Sequence, residues 1–396
     1  MTEASTGPAT LANWRTAPFS RRAFHHVREI LPTAEIAANR DAPEPFTSAP
    51  RDISGVTFEG IDGQETNFGH ILANSYTDCL VVLKGREIVC EWYDPGCNPA
   101  RPHIVFSVSK SIIACLAGIL AEQGLIDPDA PAVRYIPEAK GSAWGDCTVR
   151  HILDMTVDLD FEESYLNPDG DYARYREATG WNPPIPGDHP LDQNSFLLSL
   201  RRGPGEHGKS FAYMSPNSDF LGWLLERAGG KPLAELLSDH IWRPMGARDA
   251  AYVTLDRLGM ARGAGGICAT AHDLALLGAT MRDGGKAGGK VGGRQVIPAD
   301  WVADIRTGGD RDPWINGDPA YYELLPEGGY RGKWYQPGND HGAFCAIGIH
   351  GQWIYVDSAA DAVIVRLASQ PEPLDDPLDK ACLRAFDAIC RALEEA

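Results

Sequence analysis

Apolar residues along the chain gather into short runs, one long all-round run and one helical stripe, and each pattern predicts a different element. Leu80-Val81-Val82-Leu83 and Ile88-Val89-Cys90 lie either side of Lys84-Gly85-Arg86-Glu87, which reads as two strands around a turn. Residues 345–356 and 362–367 repeat the pattern as a hairpin around Asp357 to Asp361. The run from Ser111 to Asp127 is apolar nearly all round, the mark of a helix buried inside a larger protein, and Gly124 supplies its stop. Near the C-terminal end Leu378, Cys382, Ala385, Ile389 and Leu393 recur at steps of three and four, placing them on one face of a helix over 377–395.

Elsewhere the pattern is weaker. Residues 1 to about 70 are rich in Pro, Ala and turn formers and read as an irregular N-terminal wrap with one helix near 22–31. Between 148 and 260 strand signals fade, and helical stretches at 191–202 and 216–229 alternate with loops holding Pro, Gly and Trp. Residues 284–293 are a Gly- and Lys-rich turn region. The expected organisation is an α/β domain of residues 1–147 and 261–396, its sheet flanked by helices. A mostly helical subdomain, 148–260, is inserted into it, with the active site in the cleft between them.

Composition narrows the class. A chain of 396 residues, 43% hydrophobic and 23% charged, is an ordinary globular protein able to bury a large core. A net charge of −18 argues against nucleic acid or an anionic membrane as the main partner. Residues 1–22 hold no apolar core of signal-peptide length, and no run of 18 apolar residues occurs anywhere, so the expected location is cytoplasmic. The 9 cysteines are odd in number and scattered without a C-x-x-C pair; Cys115 and Cys268 sit in apolar runs, as reduced structural thiols do. The 11 histidines show no H-E-x-x-H or comparable ligand spacing, and no G-x-x-x-x-G-K-[ST] is present. Neither a metal nor an organic cofactor is therefore expected.

The candidate chemistry lies in Ser107-Val108-Ser109-Lys110. Positions three apart share a helix face, so the lysine amine can reach the serine hydroxyl. A partly desolvated lysine can lose its proton readily enough to activate a serine. With 18 Ser and 9 Lys in the chain, a chance S-x-x-K is no surprise; the apolar helix behind it gives the pattern weight. The competing reading is a helix whose serines only cap its N-terminus.

Four segments together resemble the serine β-lactamase-like family of the class C type, and within it the nylon-oligomer hydrolases and their esterase relatives. They are Phe106 to Ser111, Phe211 to Trp223, Gly265 to Ala275, and Gly348 to Gln352. The resemblance runs from about Leu11 to the C-terminus. It implies a β-lactamase/penicillin-binding-protein-like fold with an antiparallel sheet flanked by helices. It makes Ser107 the acyl-accepting nucleophile, Lys110 its base partner and Tyr213 the second proton-transfer group, eased toward ionisation by the neighbouring ammonium. The backbone N–H groups of Ser107 and Ile349 become the oxyanion donors.

The chain also departs from the family pattern. The usual Y-x-N reads Tyr213-Met214-Ser215, while a literal Y-x-N stands at Tyr165-Leu166-Asn167. Tyr213 is preferred on its spacing to Gly222; Tyr165 matches a substrate-side tyrosine of the nylon-oligomer group, or is a half-buried loop aromatic. His350 stands where β-lactamases carry the lysine of K-T-G, and a mostly neutral imidazole binds a substrate carboxylate weakly. At the positions that favour amides with a free amine, this chain has Arg176 and Ala264, and Arg176 would repel a cationic end. Trp181, Trp334 and Tyr335 are candidate walls of the acyl pocket.

The resemblance thus implies a serine hydrolase of small esters, with amides as a further class. The alternatives are an ω-amino acid oligomer amidase and a non-catalytic binding protein on the same fold. The expected partner is a small-molecule ester or amide, and self-association as a homodimer is left open.

Overall fold

The computed structural model describes residues 7–42, 45–187 and 189–395. Its centre is an eight-stranded sheet, whose spatial order is Gly329–Arg331, Trp334–Gln336, Phe344–Gly348, Gln352–Asp357, Ala362–Ala368, Thr77–Lys84, Glu87–Tyr93 and Thr47–Ser48. Neighbours pair antiparallel, except that the two-residue edge strand Thr47–Ser48 runs parallel to Glu87–Tyr93. The late strand Ala362–Ala368 thus pairs with the early strand Thr77–Lys84 in mid-sheet, with Val365 opposite Val81 and Ile364 opposite Val82.

Continuous apolar runs suit these strands because both sheet faces are covered. Side chains alternate across a strand. Val81, Leu83, Ile354, Val356, Val363 and Val365 belong to one buried cluster, and Leu80, Val82, Trp353, Tyr355 and Ile364 to another. The first face packs on the helices Val108–Glu122 and Ala271–Arg282; the second packs on Asp376–Glu395. That last helix buries Leu378, Cys382, Ala385, Ile389 and Leu393, the face read from the sequence.

Gly278 lets the Ala271–Arg282 helix lie close to the sheet, since a Cβ there would stand 2.5 Å from Val363 Cγ1 and 3.2 Å from Ile354 Cγ2. Helices also dominate from Val149–Leu153 to Arg243–Met245, with Pro216–Gly229 matching its predicted range and Gln193–Ser199 shorter than predicted. Ala251–Thr254 pairs with Thr33–Ile36 in a separate four-stranded sheet that also holds His103–Ile104 and Ile267–Ala269.

Two sequence readings need correction. The run 345–356 is two strands, because Ile349, His350 and Gly351 turn the chain, the last two with φ of 63° and 85°. Near 22–31 only Ser20–Ala23 and a 3-10 turn at Val27–Glu29 form, although Ala23, Phe24, Val27 and Leu31 still join one buried cluster. All nine cysteines are free, and seven are buried. No helix among the described residues is long and apolar enough to cross a membrane.

Gly278→Val should destabilise the protein by about 2 kcal/mol, because the stiff Val363 across the contact cannot rotate away. Urea unfolding would read this as a lower midpoint with an unchanged slope.

Candidate active site

The strand His103–Ile104 leads into Phe106, whose φ of 43° bends the chain sharply just before Ser107. Left-handed backbone at a non-glycine residue is costly and persists only where surrounding packing enforces it. Here Phe106 is buried among Trp14, Phe24 and Trp181. Ser107 then stands at the N-cap of Val108–Glu122, yet its side chain caps no backbone N–H. The other two serines of the segment have structural partners: Ser109 Oγ accepts from Ile267 N at 3.1 Å and Ser111 Oγ donates to Lys333 O at 2.6 Å.

One turn on, Lys110 Nζ lies 2.7 Å from Ser107 Oγ and donates to Ala264 O at 2.7 Å. Lys110 is 1% exposed, and no carboxylate touches its amine among the described residues. Burial pushes the amine down to about 8, opposed by the more distant charges of Glu163 and Asp219 and reinforced by Arg262. Its amine also lies 5.0 Å from the centre of the Tyr213 ring.

Tyr213 behaves differently from the sequence expectation. Burial and the nearby Glu163 push its phenol well above the ordinary tyrosine value, although hydrogen bonds with Ser107 and Tyr335 pull the other way. Of the two groups the lysine therefore loses its proton first. Tyr213 stacks on Tyr321 at 5.2 Å and Tyr335 at 6.4 Å.

Two carboxylates absent from the sequence reading hold this arrangement. Glu163 accepts from Ser215 N, from Ser215 Oγ at 2.6 Å and from Tyr165 OH at 2.9 Å, fixing the segment that carries Tyr213. Asp219 is fully buried, accepts from Ala264 N at 2.8 Å and from Tyr175 OH, and so aims the Ala264 carbonyl at Lys110. Acidic residues just before Tyr165, and one buried a turn into the helix after Tyr213, were the only signals available.

The Ser107 cavity measures about 450 Å³ and includes Tyr165, Tyr213, Tyr335, Gly348 and Ile349. Gly348 is required there: a Cβ would stand 2.6 Å from Val105 O and 3.1 Å from Ser107 N, filling the space beside the serine amide. Carboxylates are concentrated in this cavity, at Glu162, Glu163, Asp318, Asp376 and Asp379.

Arg176, Trp181 and His350 instead line a second cavity with Arg15, which shares Tyr165, Ile349 and Pro373 with the first. Arg176 therefore does not face the carboxylate-rich side. The His350 ring is buried against Phe24 and Phe106, its Nδ1 lies 2.7 Å from Gln370 O, and burial pushes it down to about 4, so it is neutral. Ala264 contributes its backbone rather than a pocket wall, and Trp334 is fully buried against Phe344.

A helix-borne serine with a buried lysine one turn away, beside an antiparallel sheet edge, defines the serine hydrolases of the penicillin-recognising type. The chain belongs to the beta-lactamase family, whose model matches residues 79–387. It is 36% identical over 370 residues to the 6-aminohexanoate-dimer hydrolase of Paenarthrobacter ureafaciens, covering 93% of this chain and 90% of that one. It is 31% identical over 168 residues to the esterase EstB of Burkholderia gladioli, covering 40% and 41%. A Bacillus anthracis structure provisionally named a 6-aminohexanoate-dimer hydrolase superposes with a TM-score of 0.88 at 27% identity, covering 98% of this chain and 99% of that one.

The Lys110 amine should titrate at about 8, well below an ordinary lysine, when followed by NMR of labelled lysine Nζ. Glu163→Gln removes a charge that holds the proton on, so the midpoint should move to lower pH. An unmoved or higher midpoint would show that Glu163 does not act on Lys110 through its charge.

Proposed function

We propose that this chain hydrolyses small carboxylic esters, with amides as a secondary class, through an acyl-enzyme at Ser107. The observation that carries the reading is the 2.7 Å approach of a buried, readily deprotonated Lys110 to Ser107 Oγ. Neutral Lys110 accepts the serine proton as Oγ bonds to the substrate carbonyl carbon. The carbonyl oxygen, now negative, faces the N–H groups of Ser107 and Ile349. Collapse breaks the bond to the leaving group, which takes a proton passed from Lys110 through the Tyr213 hydroxyl. Water then attacks the acyl carbon by the reverse relay, releasing the acid and restoring Ser107. On this reading the substrate enters a cleft between the α/β body, 1–147 and 261–396, and the helical region 148–260.

A second reading, hydrolysis of ω-amino acid oligomers, has its own support. The carboxylates lining the Ser107 cavity suit an ammonium group, Arg15 and Arg176 next door suit a carboxylate, and a relative matching 93% of the chain is a 6-aminohexanoate-dimer hydrolase. The first reading is preferred because the position before Gly265-Gly266, which bears an amide side chain in the nylon-oligomer group, is Ala264 here.

Ser107→Ala should lower kcat/KM for a short-chain nitrophenyl ester by at least about a thousand-fold while leaving the unfolding curve unchanged; undiminished turnover rejects the reading. Gly348→Ala should lower kcat by about ten- to a hundred-fold, because its methyl group crowds the Ser107 amide. In wild type, kcat/KM should rise with pH through about 8, as Lys110 loses its proton. Turnover of the linear 6-aminohexanoate dimer at a rate matching the ester would favour the second reading.

A further inference from the structure

Outside both cavities, four parts of the chain bring metal-binding side chains together. His25 comes from the N-terminal wrap, Asp78 and Cys79 from the strand Thr77–Lys84, Cys97 from the loop after Glu87–Tyr93, and His103 from the strand leading to Ser107. One ligand atom from each of His25, Cys79 and Cys97 lies within 4.8 Å of the other two, and His25, Asp78 and His103 form an equally tight set. His25 is 8% exposed, Cys79 3%, and Asp78 and His103 are fully buried.

We propose that Cys79, Cys97 and His25 bind one zinc ion that ties the N-terminal wrap to the central sheet. Tetrahedral zinc with thiolate and imidazole donors places those donors about 3.3–3.8 Å apart. The 3.3 Å from His25 Nε2 to Cys97 Sγ fits that spacing. Water takes the fourth position, reached from the half-buried Cys97 side. Binding releases both thiol protons, so the ion's two positive charges meet two thiolates and the core gains no net charge.

The surroundings suit this role. His103 Nε2 lies 3.3 Å from Asp78 Oδ2, and the His25 and His103 rings meet edge-on at 4.5 Å, which fixes the His25 ring. Arg21 pairs with Asp78 Oδ1 at 3.7 Å, and His25 Nδ1, on the side of the ring away from Cys97, is buried without a hydrogen-bond partner. The donor set of sulfur and nitrogen favours zinc over magnesium or calcium. Linear spacing hides it, because the ligands stand at 25, 79 and 97.

The test uses the full chain without a polyhistidine tag, stripped by chelator and titrated with Zn2+ against a chromophoric chelator, then with Co2+. One equivalent should bind, Co2+ should give thiolate-to-metal charge-transfer absorption, and zinc should raise Tm. Cys97→Ser, at a half-buried position, should weaken zinc binding by at least about ten-fold and about halve the absorption, leaving only the Cys79 thiolate. Absence of that absorption in wild type, or equal zinc affinity in Cys97→Ser, would overturn the proposal. So would a reduced-buffer preparation that refuses metal because Cys79 and Cys97 are joined as a disulfide.

Discussion

The withdrawal of Lys110 from water is the constraint on which the site depends. Its amine has two direct partners, the Ser107 hydroxyl and the Ala264 carbonyl, and neither carries charge. A fall to about 8 amounts to roughly 3 kcal/mol in favour of the neutral amine. A carboxylate in contact would erase most of that by holding the proton on. Glu163 and Asp219 are instead occupied by Ser215, Tyr165, Tyr175 and the Ala264 amide, so their charges reach Lys110 only from a distance. The same two side chains that could hold that proton on are the ones that position the neighbours of Lys110.

A second constraint comes from the backbone. Phe106 before the serine and His350 after Ile349 both have positive φ, and their rings meet at 5.2 Å. Two costly turns are thus pinned by one aromatic cluster, together with Phe24 from the N-terminal wrap. The histidine at the end of that strand packs in this cluster with its Nδ1 on Gln370 O, while it also lines the second cavity. The wrap, irregular in sequence, is therefore part of what holds the serine amide and the Ile349 turn in register.

Much of this was legible in the sequence where the signal was local. Val81 to Leu83, the all-round helix behind Ser107 and the stripe Leu378 to Leu393 carry their structure in their own spacing. Ser107 and Lys110 meet because one helix turn separates them. Glu163 and Asp219 were not legible, since each acts through a partner tens of residues away. Where Arg176 stands was not legible either, since a motif position does not say which of two adjoining cavities a side chain lines. The easier ionisation expected of Tyr213 failed because burial, which no motif records, pushes its phenol up.

Charge in the two cavities gives the last step. Tyr165, Ile349 and Pro373 line both the carboxylate-rich space that holds Ser107 and the neighbouring one that holds Arg15 and Arg176, so the two signs of charge lie on either side of them. Burial, with Asp375 and Asp376 alongside, pushes Asp379 up to about 7 against the pull of Arg366. That wall therefore gains negative charge as pH rises through 7, just below the range in which Lys110 loses its proton. The two titrations act in the same direction. One more negative charge appears on that wall as Lys110 loses its proton, whereas an acidic shift removes that charge and protonates Lys110 together.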